Sequence, residues 1–496
     1  MPTKNWFMWG LDLFSGLFLI VIGLGVLVLA YMYLVDRLQT KQAVRHNYPV
    51  IGRFRYFFEK QGEFFRQYFF AQDREELPFN RAERNWVYRA AKNVDRTIAF
   101  GSTRTLETPG TLMFMNTAFP TLDTDSVPPS PVTLGPDCRT PYTSTAICHI
   151  SAMSFGALSR PAITALSHGA AKAGCWLNTG EGGLSEHHLK GNCDLVFQIG
   201  TAKYGVRNEQ GHLDDDKLRA IAAHEQVKMF EIKLSQGAKP GKGGILPGVK
   251  VTAEIAGIRG IPIGQDSISP NGHIEFKTVA DILDMVAKVR ELTGKPTGIK
   301  AVLGDTHWLN DLCDEIAKRG EAAAPDFFTL DSADGGTGAA PQPLMDYVGL
   351  PLKESLPLLV DTLSQRGLRP RVKIIASGKL IVPSKVAWAL AVGADFVASA
   401  RGNMFALGCI QAMQCNKDTC PTGVTTHNVK LQQGLDPRDK SVRVASYNHY
   451  LHHDLGLIAH ACGVNDPRQL QRSHVRIVTD SGLSVSLDKF YAHMER

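Results

Sequence analysis

Residues 395–427, DFVASARGNMFALGCIQAMQCNKDTCPTGVTTH, decide how the rest of the chain is read. The stretch opens on a buried-strand pattern, Phe396-Val397-Ala398, and turns through Arg401-Gly402, a small-residue loop suited to a phosphate. It then sets out Cys409, Cys415 and Cys420 as C-x5-C-x4-C ahead of Pro421. Thiolates at this density in a reducing compartment usually hold a metal or an iron–sulfur cluster. A phosphate-bearing cofactor and an electron relay are thus expected to meet at one strand end.

Upstream, from Ala146, short apolar runs alternate with helical patterns. The runs are 147–152, 175–178, 195–200, 229–234, 298–303, 327–330, 372–376 and 395–398. Helical segments at 160–173, 279–292, 308–318 and 385–392 lie between them. Buried strands alternating with helices predict a parallel sheet, and eight of them predict a closed (β/α)8 TIM barrel. Nearly every run ends in small or polar residues, where such barrels place their chemistry. A phosphate is expected after the seventh and eighth strands, at Ser377-Gly378-Lys379 and residues 399–402.

Composition narrows the function classes. Hydrophobic residues make up 44% of 496, and the formal net charge is only +6, so nucleic acid is not an expected partner. Six of the nine cysteines are scattered without pairing logic, which argues against a secreted disulfide scaffold. Residues 13–35 carry no charge. As a helix they reach about 34 Å, enough for a bilayer core of about 30 Å. The alternative, a signal peptide, has a shorter apolar core and a small-x-small cleavage site that is not seen here. Arg37, Lys41, Arg45, Arg53 and Arg55 follow the run and only Lys4 precedes it, so the carboxy-terminal bulk is expected in the cytoplasm, single-pass in the inner membrane.

The expected organisation is an anchor over 1–40, an amphipathic and irregular region over 41–145, the barrel with its cysteine loop over 146–430, and a helical extension over 431–496. Phe57, Phe58, Phe64, Phe65, Phe69 and Phe70 either line an interfacial helix or pack on the chain's own domain. The group His449-x-x-His452-His453 reads as an exposed helix rather than a metal site.

Several ordered motifs carry a family resemblance. They are Met153-Ser154-Phe155-Gly156, Asn178-x-Gly180-Glu181-Gly182-Gly183, Glu231-Ile232-Lys233-x-x-Gln236-Gly237-Ala238-Lys239-Pro240-Gly241, Asp334-Gly335-Gly336-Thr337-Gly338-Ala339 and the cysteine stretch. Together, over about residues 146–463, they resemble the FMN-binding synthase domain of glutamate synthases. The resemblance implies an FMN site drawing on Met153, Ser154, Glu181, Lys233, Lys300, Asp334, Gly335, Gly336, Ser377, Gly378, Ala400 and Arg401. It implies a 2-oxo acid, 2-oxoglutarate first, held by Gln236, Lys239 and Arg259, with Lys233, Glu181 and Lys239 as catalytic residues. Three cysteines leave one corner of a cubane unligated, so Cys409, Cys415 and Cys420 suit a [3Fe–4S] cluster, as in the resembled family. A zinc site completed by His427 is the rival.

Residues read alone support part of this. Glycine-rich ends let backbone N–H groups approach a flavin closely. A lysine ending the fourth strand can sit beside the flavin ring. A dicarboxylate needs paired cations, which Lys239 and Arg259 supply.

The chain also departs from the family. No cysteine precedes Cys138, so a glutaminase of its own is not expected; ammonia or an amine would be the nitrogen source. No G-x-G-x-x-G follows a strand, so electrons are expected from a partner, ferredoxin or a reductase subunit. Gly241-Lys242-Gly243-Gly244-Ile245 and Pro270-Asn271-Gly272-His273-Ile274-Glu275 differ from the family's usual Gly-Glu-Gly-Gly-Gln and PPPHHD runs. These keep open a flavin oxidoreductase acting on another amino, oxo or hydroxy acid, or a membrane redox subunit without turnover.

Overall fold

Eight parallel strands close on themselves in the computed structural model, which describes residues 6–492. They are β1 (Cys148–Ile150), β2 (Leu177–Asn178), β3 (Leu195–Ile199), β4 (Val227–Lys233), β5 (Thr297–Ala301), β6 (Phe327–Asp331), β7 (Lys373–Ser377) and β8 (Phe396–Ser399). Neighbours pair in chain order, and β8 returns to β1. All eight apolar runs read from the sequence are barrel strands, within two residues at each end. Every residue of β3, β5, β6 and β8 is buried. Strands covered on both faces need continuous apolar runs rather than alternation, which is why the runs were visible.

The helices begin and stop on local chemistry. Ser159 caps Arg160–Ala173 by accepting from the Ala162 N–H, and Gly174 ends it in the left-handed region. Thr278 and Asp281 form a capping box at the start of Val279–Thr293, and Gly294 closes it.

The amino-terminal mouth of the barrel is plugged. A hairpin of Val132–Leu134 and Tyr142–Ser144 sends Leu134 and Tyr142 among Trp176, Met229, Phe327 and Phe396. His149 stacks flat on Trp176 within the same core, ring centroids 3.2 Å apart. Chemistry is thereby left to the opposite, carboxy-terminal end.

Two expectations need correction. The barrel does not end at 430: the helix Pro437–Ala461 packs along Arg160–Ala173 and completes the helical ring after β8. Contact is close because position 169 is glycine; a Cβ there would lie 2.5 Å from Val444 Cγ1. Nor is the remainder purely helical. Val475–Val478 pairs antiparallel with Ser484–Ser486 and with Leu112–Phe114, so one sheet joins the region read as irregular to the carboxy-terminal end. Strands of three or four residues carry too little pattern to be read alone.

His452 is also not simply exposed. Its Nε2 accepts from the backbone N–H groups of Ile147 (3.0 Å) and Cys148 (3.2 Å), and its Nδ1 donates to the Asn448 carbonyl. It fastens the entry of β1 to the last barrel helix.

Residues Met1–Arg81 form a separate compact unit from Ala82–Arg496. Its first helix, Trp6–Leu38, has 33 residues, contains the apolar run 13–35 and is long and apolar enough to cross a membrane. Lys4, used above for orientation, lies outside the described residues. The helix Gly52–Phe65 continues as a π-helix, Arg66–Phe70, and Phe57, Phe58, Phe64, Phe65, Phe69 and Phe70 are all exposed.

Candidate active site at the carboxy-terminal strand ends

Lys233 is the last residue of β4, and its register partner on β5 is Lys300. Both side chains are buried. Lys233 Nζ donates to Glu181 Oε2 and Gln236 Oε1, each at 2.7 Å. Lys300 pairs with Asp331 at 3.2 Å, and the same Asp331 oxygen accepts from the Gly237 N–H. The strand-end lysines therefore each fix a loop: Lys233 the turn after β2, Lys300 the loop that carries Gln236 and Lys239.

Glu181 sits on the 3-10 turn Gly180–Gly182 following β2. Glycines make its place. A Cβ at Gly244 would stand 2.1 Å from Glu181 Oε1, and one at Gly200 would stand 2.7 Å from Glu181 Cβ. Burial pushes the Glu181 carboxyl up, but Lys233 first, then Lys239 and Arg259, outweigh it and hold the group below the usual carboxylate range.

The long excursion after β4 supplies the other two cations. Lys239 is 3% exposed, and burial brings its ammonium down to about 8 although Glu181 opposes the shift. Arg259, on the helix Ala253–Arg259, donates to Ser267 Oγ (3.1 Å), the Phe155 carbonyl (3.3 Å) and Ser154 Oγ (3.5 Å). Its buried Nε has no partner. Tyr204 packs under the guanidinium and shares Ser267. Lys233, Lys239, Arg259 and Lys300 stand with Glu181, Glu231 and Asp331, leaving one positive charge, and among the described residues Lys239 and Arg259 have no carboxylate within ion-pair distance. Those two cations match a dicarboxylate.

The phosphate side is built from close loops. A Cβ on Gly378 would meet Ser332 Cβ at 2.3 Å, one on Gly335 the Ser332 carbonyl at 2.9 Å, and one on Gly336 Arg401 Nε at 2.7 Å. Ser377 lies across from Ser151, hydroxyl to hydroxyl at 3.5 Å. Ala400 begins the turn into the helix Arg401–Leu407, and Met153 lies buried beside the Asn178 carbonyl. Asp334 is not with the Lys233 group; it pairs with Lys379 at 2.9 Å beside β7.

Sequence reasoning missed the residues that connect these parts. Glu231 lies inside the barrel and accepts from Asn178 (2.8 Å), Gln198 (2.6 Å) and Thr329 (2.5 Å). Asn178 in turn accepts from the Gly180 N–H, steadying the Glu181 turn. Thr337 accepts from Gln236 Nε2 at 3.2 Å through its hydroxyl and from Arg401 Nη2 at 2.7 Å through its carbonyl. Arg401 Nη1 lies 4.0 Å from Cys415 Sγ. A polar chain thus runs Lys233, Gln236, Thr337, Arg401, Cys415. Thr337 lay in a quoted motif, yet nothing in sequence gives it two partners.

Both departing runs touch the site: Gly244 abuts Glu181, and His273 bonds to Lys233. Ile245 pairs with Ile268 in a small hairpin. His273 lies behind Lys233, its Nε2 donating to the Lys233 carbonyl at 3.0 Å, and burial carries it down to about 4. Asn271 is exposed.

The cysteine loop leaves the helix Arg401–Leu407 at Gly408. Gln411, Met413 and Asp418 all take positive φ, a conformation that costs non-glycine residues energy. The loop is held by its backbone: Tyr88 donates to the Cys409 carbonyl at 2.7 Å, and buried Lys250 donates to the carbonyls of Cys415 (3.3 Å) and Ala157 (2.7 Å). Among the described residues, one group of three metal-type side chains has its ligand atoms within 4.8 Å of one another: Glu186, His187 and Glu254, which Arg160 and Lys190 already pair. His427 Nε2 donates to the Gly156 carbonyl at 2.8 Å.

Comparison with known proteins agrees with the motifs. The family profile described as the conserved region in glutamate synthase matches residues 122–465. A glutamate synthase large subunit-like protein of Bacillus subtilis, YerD, is 39% identical over 507 residues, covering 94% of this chain and 96% of that protein. The archaeal-type glutamate synthase (NADPH) of Thermotoga maritima is 32% identical, covering 64% of this chain and 59% of that one. The archaeal glutamate synthase (NADPH) of Methanocaldococcus jannaschii is 33% identical, covering 66% and 61%. The chain therefore spans nearly all of the first relative and about three fifths of the other two. Among solved structures, the flavin-binding domain of baker's yeast flavocytochrome b2 aligns over 83% of each chain at 14% identity, with a TM-score of 0.47.

Proposed function

Because this chain belongs to the glutamate synthase family of oxidoreductases, we propose that it reductively aminates a 2-oxo acid, 2-oxoglutarate first, to the L-amino acid. One observation carries the reading: buried Lys239 and Arg259 stand beside Lys233 and Glu181 at the barrel's carboxy-terminal end, and among the described residues neither has a carboxylate within ion-pair distance. A 2-oxo dicarboxylate brings two negative charges to that place. Lys239 and Arg259 would take its carboxylates through charge-assisted hydrogen bonds. Lys233 Nζ, held between Glu181 and Gln236, offers a donor to the oxygen or nitrogen on the reacting carbon. Glu181, kept ionised by Lys233, Lys239 and Arg259, would hold Lys233 toward the reacting carbon, and ammonia or the amine would add as the free base.

FMN fits the loops around Ser332, Gly335, Gly336, Gly378 and Arg401, where glycines leave the backbone bare, and when bound it supplies the hydride. Cys409, Cys415 and Cys420 fit a [3Fe–4S] cluster, a one-electron relay. A single tetrahedral zinc would need a fourth ligand beside the three cysteines. Thr337 and Arg401 join the relay side to the substrate side. Electrons come from a protein partner, a ferredoxin or a reductase subunit, and nitrogen from ammonia or an amine. The helix Trp6–Leu38 spans the cytoplasmic membrane once, with the barrel in the cytoplasm.

The test is anaerobic titration of the flavin spectrum with 2-oxoglutarate, then turnover with ammonium and a chemical reductant. A spectral response to 2-oxoglutarate and formation of glutamate are expected. A response only to a different oxo, hydroxy or amino acid would move the assignment to that substrate, a reading favoured by the changed Lys242 and Ile245 positions beside Gly244.

A further inference from the structure

We propose that the aromatic face of Gly52–Phe65 and Arg66–Phe70 lies on an anionic bilayer surface, latched to the end of the first helix by Asp36. The proposal rests on reading Trp6–Leu38 as a spanning helix.

Asp36 is 0% exposed although it lies near the end of a helix whose apolar residues are exposed all round. Its carboxylate is fully used. Arg45 donates to Oδ1 at 2.5 and 2.9 Å, Arg53 donates to Oδ2 at 2.8 Å and Oδ1 at 2.9 Å, and the Val50 N–H donates to Oδ2 at 3.0 Å. Arg53 thus ties the first turn of the second long helix to the last turn of the first, and Arg45 and the Val50 N–H tie the segment between them to the same carboxylate. If the first helix spans, this knot lies at the membrane–water boundary, and the aromatic helix starts there.

On that helix Phe54, Phe57, Phe58, Phe64, Phe65 and Tyr68 recur at three- and four-residue spacing and share one side. All are exposed, and the rings touch mainly one another, as in the Phe54–Phe58 stack at 6.3 Å. Glu59 and Arg66 lie on the other side, and Arg55 and Lys60 flank the aromatic stripe. Residues 36–70 hold seven Lys or Arg against one Asp and two Glu, a surplus of four positive charges. Aromatic rings beside clustered basic residues suit the interface of a membrane carrying anionic lipid. A second copy of the same face would bring like charges together instead.

The test uses the full chain in vesicles of mixed phosphatidylglycerol and phosphatidylcholine containing lipid brominated near the headgroup end of its acyl chains. Phe58→Trp and Glu59→Trp each add an indole to the wild-type signal, the first on the aromatic side of the helix and the second on the side away from it. The added fluorescence of Phe58→Trp should be lost to bromine and that of Glu59→Trp kept. Asp36→Asn should restore part of the Phe58→Trp signal; unchanged quenching would overturn the latch. Equal quenching at both positions, or none at Phe58→Trp, overturns the surface orientation. Alkaline extraction separates the premise: a chain that resists extraction without quenching at Phe58→Trp keeps the spanning helix and loses this proposal. A quenched chain that is extracted loses the spanning helix.

Discussion

Gly244 and Lys239 show how single positions set the site. The place of Glu181 depends on a missing side chain, since a methyl at Gly244 would collide with its carboxylate at 2.1 Å. Gly244→Ala should therefore displace Glu181 from Lys233 and abolish the 2-oxoglutarate response, while costing the fold only about 1–3 kcal/mol; calorimetry and the spectral titration read the two effects separately. Lys239→Ala should weaken 2-oxoglutarate binding roughly 10- to 150-fold, the worth of a charge-assisted contact of about 1.5–3 kcal/mol, with FMN retained. Its pH dependence has a definite sign. Burial lowers the Lys239 ammonium to about 8, so the cation is present below that pH and lost as pH rises through it. Wild-type affinity should be flat below pH 7.5 and fall above 8 by up to about tenfold per unit, and Lys239→Ala should remove that limb. The cations themselves were legible in the motifs. The glycine that admits Glu181 was legible only as part of a glycine-rich loop, because sequence does not say which atom a glycine leaves room for.

Among elements, the loop from Cys409 to Cys420 and the helix Pro437–Ala461 make the clearest demands. Cys415→Ser should abolish the cluster and keep flavin, because Cys415 lies on the far side of Arg401 from the proposed flavin loops. Iron and sulfide analysis of anaerobically purified protein should give three irons per wild-type chain and none in the variant; stoichiometric zinc would reject the cluster. His452→Leu would strip the acceptor from two buried strand N–H groups, at about 1–3 kcal/mol each, and should lower the Tm by several degrees without altering the flavin spectrum. Burial, opposed by its bond to Asn448, also holds the His452 ring below its ordinary value, and His188 falls to about 3 and His273 to about 4 for the same leading reason. These rings are neutral when folded and take up protons at an ordinary pKa of about 6.5 once unfolded. The stability they contribute is present above that pH and is lost as pH falls below it, so the Tm should decline from pH 6.5 towards 4. Sequence showed the histidines as a helical cluster but not the strand entry that His452 serves, over 300 residues away in the chain.

At the scale of the whole molecule, the barrel was readable because each strand is covered on both faces and announces itself as an apolar run. The plugging hairpin, the sheet joining Leu112–Phe114 to Val475–Val478 and the return of Pro437–Ala461 to the barrel wall were not, because each depends on pairing between distant short segments. The amino-terminal unit was readable as apolar and aromatic, yet the Asp36 knot that joins its helices was hidden among charges that looked solvated. That knot gives the truncations their expected order. Removing residues 1–40 deletes the only described helix long and apolar enough to span, and Asp36 with it, but leaves the aromatic helix and most of the basic residues. The product should leave membranes without detergent in high salt and rebind anionic vesicles in low salt, since screening weakens charge attraction at the surface. Removing residues 1–81 leaves the unit Ala82–Arg496, which contains the whole barrel and every site residue named here. It should be extractable at any salt and keep the wild-type response to 2-oxoglutarate. If the shorter truncation still pellets after a high-salt wash, the aromatic rings hold the surface by apolar insertion without help from charge. If the longer one loses its 2-oxoglutarate response while its Tm is unchanged, the amino-terminal unit contributes to the site rather than merely placing it at the membrane.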